Sequence, residues 1–134
     1  MEIKVVNSFL AEYIRPEAPS RFTIVGMPLN IALKDPTKPC YPLLSFIHLQ
    51  AESEGKGELT FRIVDTKAKK DIATYKIDLE VKAEDPNLKR DGFVNIALLR
   101  PVGKIVFGRS GEFTVAISID KAVKKSFKLS VIKI

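Results

Sequence analysis

The sequence predicts an all-β protein, an antiparallel β-sandwich of about eight or nine strands, on three observations. Apolar and polar residues alternate over long runs. In the clearest, Phe113, Val115, Ile117 and Ile119 alternate with Thr114, Ala116, Ser118 and Asp120. After a short charged turn, Phe127, Leu129 and Val131 alternate with Ser126, Lys128 and Ser130. Successive strand side chains point to opposite faces, so each run lays one apolar stripe on a core and turns the other face to water. The runs recur at spacings of about 8–12 residues, the interval of a sandwich. No segment reads as a helix longer than a turn or two.

The elements follow in order. Glu2–Tyr13 reads as a first strand of mixed pattern, interrupted by Pro16 and Pro19, which remove ladder donors. Arg21–Gly26 is a second strand. Gly26-Met27-Pro28 then suggests a kink before Leu29–Leu33 resumes. Asp35–Pro42, with three prolines, is a rigid loop. Leu43–Ala51 is apolar on both faces, with Leu44 and Phe46 on one side and Ile47 and Leu49 on the other, so a strand there is covered twice. Glu52–Gly57 is a polar connection. Leu59, Phe61 and Ile63 face inward from Glu58–Val64, and Asp65–Asp71 turns the chain. Thr74–Lys82 is the most regular strand, with Tyr75, Ile77, Leu79 and Val81 inward. Ala83–Gly92 is a charged loop around the turn signature Asp85-Pro86-Asn87 and the best candidate for a mobile segment. Phe93–Leu99, Ile105–Phe107 and the closing hairpin complete the set.

A chain of 134 residues, 46% hydrophobic and 28% charged, fits a single domain over residues 1–134 with a core of its own. No run of about 18 apolar residues predicts a helical membrane span, and the N-terminal residues lack the pattern of a signal peptide. Cys40 is the single cysteine, so no internal disulfide is expected, and a reducing, cytoplasmic setting is favoured; a phage particle or an extracellular bacterial structure remains compatible. The net charge of +6 is unevenly placed: residues 100–134 hold eight basic and two acidic side chains, and the first 99 hold 14 of each. Lys121, Lys124, Lys125 and Lys128 mark either an anionic partner, nucleic acid foremost, or a solvated face that blunts an edge strand. Exposed aromatic residues that would stack on bases are not interleaved with them.

Ser8-Phe9-Leu10-Ala11-Glu12-Tyr13, Phe22-Thr23-Ile24-Val25-Gly26, Glu58–Asp65 and Gly111-Glu112-Phe113 with its closing strand together resemble a set of small bacterial and phage-associated proteins. These are known only as a domain of unknown function. The resemblance implies an immunoglobulin-like β-sandwich and supplies no catalytic residues.

Signals for chemistry are sparse. His48, the sole histidine, lies in an apolar segment and reads as a structural or solvent-facing strand residue rather than a catalytic base. Zinc would need three or four suitable side chains. Calcium is conceivable at Glu84, Asp85 and Asp91, opposed by Lys82, Lys89 and Arg90. Gly55-Lys56-Gly57 lacks the spacing of a phosphate-cradling loop, and Gly55, Gly57, Gly108 and Gly111 read as turn residues. Cys40, between Pro39 and Tyr41-Pro42, shows no neighbour that would activate its thiol. The expectation is therefore a non-catalytic binding or assembly module with a protein partner or self-association, and with polyanion binding through Lys121, Lys124, Lys125 and Lys128 as the alternative. Ile14, Tyr41, Ile132 and Ile134 are candidates for apolar surface outside the core. No cofactor, metal, membrane contact or small-molecule substrate is expected.

Overall fold

The computed structural model describes residues 1–17, 21–25, 30–40 and 43–134, the side chains of 13–17 and 21–25 excepted. The strands are β1 (Ile3–Ala11), β2 (Tyr13–Glu17), β3 (Arg21–Val25), β4 (Asn30–Leu33), β5 (Leu44–Ala51), β6 (Gly55–Asp65), β7 (Lys70–Val81), β8 (Val94–Pro101), β9 (Gly111–Ile119) and β10 (Ala122–Lys133). One short helix, α1 (Pro86–Asp91), precedes β8. The strands form a three-stranded sheet in the order β1-β5-β8, a five-stranded sheet β4-β10-β9-β6-β7, and a separate hairpin β2-β3. Among the described residues all pairings are antiparallel except that of β4 with β10, which is parallel. In the larger sheet β6, β9 and β10 are consecutive neighbours, and β1, β5 and β8 make up the smaller. That is the strand order of an immunoglobulin-like sandwich. The eight strands of the two larger sheets agree with the number expected from sequence.

Alternation places the core. Leu59, Phe61 and Ile63 of β6, Phe113, Val115 and Ile117 of β9, Leu129 and Val131 of β10 and Ile47 and Leu49 of β5 are all buried. Each such side chain contributes about 1.5–3 kcal/mol by leaving water. Phe107 meets Phe113 edge-on at 5.0 Å between centroids. The second face of β5 is also covered. Phe46 stacks on Phe9 at 4.8 Å, with Leu44 and Leu99 beside the buried Ala11.

A polar tie crosses the interior. Buried Ser45 of β5 donates to the Arg100 carbonyl at 2.9 Å, and its Oγ lies 2.7 Å from the Tyr75 hydroxyl on β7. Tyr75 stacks on Phe61 at 4.8 Å and lies under the Arg100 guanidinium. Burial, opposed by the bond to Ser45 and the charge of Arg100, pushes the Tyr75 phenol up from 10.0.

Several expectations are corrected. The first strand breaks at Glu12, and Pro16 sits within β2, opposite Phe22. Proline is tolerated there because each strand of a two-stranded ribbon has a free edge. Gly55-Lys56-Gly57 belongs to β6 rather than to a turn, paired with Val81, Glu80 and Leu79, and Gly111 opens β9. Gly111 has φ +125°, and an added Cβ would collide with the Arg109 guanidinium. Ile105–Phe107 is not a strand; only a single bridge joins Ile105 to Cys40. The charged loop contains α1. The Asp85 carboxylate caps the Asn87 and Leu88 amides at 2.8 and 3.4 Å, Pro86 fits the first helical turn, and Gly92 closes it at φ 79°. Pro19, the Gly26-Met27-Pro28 kink and Tyr41 lie outside the described residues, as does the Ile14 side chain.

Candidate functional site

The closing hairpin sets the geometry of the basic segment. Asp120 and Lys121 form a two-residue turn with φ 49° and 71°, both left-handed. Asp120 is anchored to β6: its amide donates to the Glu58 carbonyl at 2.9 Å, and its carboxylate accepts from the Glu58 amide at 2.9 Å. From the turn, β10 pairs with β9 from Ala122 to Val131, with a register shift between Val123 and Lys125 that leaves Lys124 as the extra, bulged residue. On its other side β10 meets β4 only at Ser130–Lys133. Ala122–Leu129 therefore have no strand partner on that side among the described residues.

The four lysines lie along this free run. Lys121 occupies the turn, and Lys124 and Lys128 are exposed. Lys125 is half-buried in the inward phase opposite Ile117, so it emerges at the rim of the sandwich. Lys128 pairs with Glu112 of β9 at 3.6 Å. Among the described residues no ion pair engages the other three.

Past the free run the surface turns apolar. Ile132 is 44% and Ile134 71% exposed, as the sequence suggested, and Val106 is 41% exposed. Backbone bonds gather these segments at one corner. The Ile134 amide donates to the Leu33 carbonyl at 3.0 Å, Cys40 to Ile105 at 2.9 Å and Gly108 to Pro36 at 2.8 Å. Beside β4 lies a cleft of about 510 Å³, with Ile31, Leu33, Cys40 and Leu43 on its walls and Glu12, Lys34, Asp35 and Lys38 at its rim. The Asp35 carboxyl is held below its ordinary range chiefly by the Thr37 hydroxyl at 2.5 Å and then by the Thr37 amide. Burial pushes the Cys40 thiol up. A thiol so placed is a poor nucleophile.

The perturbed charges elsewhere have structural partners. Arg109 clamps Asp65 with Nε on Oδ2 at 2.9 Å and Nη2 on Oδ1 at 2.5 Å, while Oδ1 also accepts from the Lys67 and Ala68 amides. The Arg109 hydrogen bonds, followed by the Ala68 amide, lower the Asp65 carboxyl to about 2. Arg109 further donates to the Ser110 and Glu112 carbonyls and covers the Phe113 ring. This staple was illegible in sequence, because its two residues are far apart and neither has a local motif. His48 bonds the Asn95 side chain at 2.9 Å, which also accepts from Gln50. Of the calcium candidates, Asp85 caps α1, and Asp91 is engaged by Arg90, whose hydrogen bonds hold its carboxyl low. Among the described residues no cluster of three or more metal-ligating side chains forms, and no helix is long and apolar enough to cross a membrane.

Known proteins add little. No protein-family model matches the chain, and no curated protein matches it. An immunoglobulin-like protein from Pseudomonas aeruginosa aligns with 98% of this chain and 97% of its own, at 8% identity and a TM-score of 0.43. A β-glucosidase from Listeria innocua, solved with glucose, aligns with 98% of this chain at 13% identity and a TM-score of 0.44, and this chain spans 16% of it. Neither likeness carries weight at that distance. The fold assignment stands on the strand order.

Proposed function

We propose that the protein is a non-catalytic binding or assembly module that works through the free edge of β10 and the adjoining apolar corner. One observation carries the reading: among the described residues, the twelve-residue β10 has only its last four residues paired on the side facing β4. Unpaired strand edges are sites for adding another strand. The exposed Ile132 near the end of β10, and Ile134 just past it, supply contact area a monomer would otherwise leave wet. The shifted carboxylates, Asp35, Asp65 and Asp91, are bound to turn amides, hydroxyls or arginines, which supports a structural use for each. A protein partner is the principal reading and self-association at Ile132 and Ile134 its variant. The setting that goes with it is the cytoplasm of a bacterium, within the phage-associated group the sequence resembles.

A photo-crosslinker at Ser126 or Ile132 tests it, with Thr60 on the central strand β6, paired on both sides, as the control position. A discrete adduct from native-source extract, or a dimer of this chain, is expected at the first two and not at the third. Uniform labelling at all three, together with a mass by light scattering that stays monomeric at every concentration, would sink the reading.

A further inference from the structure

The free edge and its lysines have a joint consequence for what binds there. An exposed edge of this length templates copies of itself unless it is defended, and bulges, lysines and inward-pointing charges are the usual defences. This edge has all three: the bulge at Lys124, the exposed Lys124 and Lys128, and Lys125 in the inward phase. Two copies laid edge to edge would set lysine against lysine, which is unfavourable. A strand bearing carboxylates is attracted by the same charges, since no ion pair occupies Lys121, Lys124 or Lys125 among the described residues and Lys128 has only the exposed Glu112 at 3.6 Å. The inward side of such a strand would cover the half-buried Phe127 and the rim of the core.

Resting on the interaction-module reading above, we propose that Ala122–Leu129 is a strand-addition site for an acidic, extended peptide segment. Its carboxylates face Lys124 and Lys128, and its alternate aliphatic residues lie over the rim near Phe127. Backbone hydrogen bonds hold the segment, and the lysines select it against self-pairing and against basic strands.

The experiment is a titration of the isotopically labelled full chain with a synthetic peptide alternating valine and glutamate. A valine–lysine peptide and a single-stranded oligonucleotide serve as comparisons. The valine–glutamate peptide is expected to shift the backbone amides of Ala122–Leu129 and slow their hydrogen exchange, and the valine–lysine peptide is not. In a K124E/K128E variant, affinity should fall by about tenfold and the preference should pass to the valine–lysine peptide. Spectra of β6 amides report that this variant is folded. Silence of the Ala122–Leu129 amides overturns the proposal, as does an equal response to both peptides. So does an oligonucleotide that moves the lysine signals without protecting any amide, the outcome of a polyanion site. If crosslinking from Ser126 or Ile132 survives in K124E/K128E, the edge assignment falls and the interaction-module reading stands; loss of the adduct in that variant is expected.

Discussion

Asp65 and Arg109 show how far one carboxylate can organise an end of the sandwich. The carboxylate receives two turn amides and both arms of the guanidinium, and so closes the β6–β7 turn against the strand entering β9. Its folded value of about 2 lies below the ordinary 3.8. Stability from this group is therefore complete above pH 3.8 and is lost as the pH falls through about 2. Urea unfolding of D65N and the parent should differ at neutral pH and converge as the pH drops from about 5 to about 2; a constant difference would contradict the clamp. Ser8 is the opposite case. Its Oγ is buried without a hydrogen-bond partner, so Ser8→Ala should raise stability by about 1 kcal/mol, and a loss on chemical denaturation would mean that a partner has been missed.

At the scale of the element, the closing hairpin was the part most legible in sequence. Phe113–Ile119 and Phe127–Val131 alternate without interruption, and period-two patterning leaves one choice of buried face. The turn was legible as a charged break but not in its geometry. Asp120 and Lys121 are both left-handed, a conformation that Lys121 adopts at a cost. Lys121→Gly should stabilise the hairpin by about 0.5–1 kcal/mol, seen as a higher melting temperature; a lower one would show that the lysine side chain has a role in the free state. Where reading failed, the cause was local ambiguity. Gly55 and Gly57 look like turn residues, yet their backbone pairs with Val81 and Leu79. Asp85-Pro86 is a turn signature and a helix start alike, and Gly92, seven residues past the cap, decided for α1.

For the whole molecule, the all-β class and the buried faces could be read from the chain, and the site could not. Alternation reports which residues turn inward, but how much of an edge strand is covered depends on where β4 docks, a contact between segments about a hundred residues apart. The lysines were visible as charge, and an edge strand blunted by them was one of two readings; which stretch of that edge lacks a strand partner among the described residues was not visible. The tie between sheets is likewise nonlocal. Tyr75→Phe removes the hydroxyl that meets Ser45 and should cost about 1 kcal/mol near neutral pH. Because the phenol is raised above 10.0 in the folded state, stability from its neutral form is present below pH 10 and falls as the pH climbs through the folded value. The parent should therefore lose stability above pH 10 more steeply than Y75F. Parallel alkaline melts of the two proteins check this, and superimposable slopes would refute it.

The four-residue clasp of β4 on Ser130–Lys133 also has a bearing on biosynthesis. A nascent polypeptide cannot seat Ile31 and Leu33 until β10 has emerged from the ribosome, so β4 stays undocked while the roughly one hundred residues between the two strands are made. Truncation before Ser130 would make that condition permanent, and such a fragment is expected to be a ready substrate for chaperones and proteases.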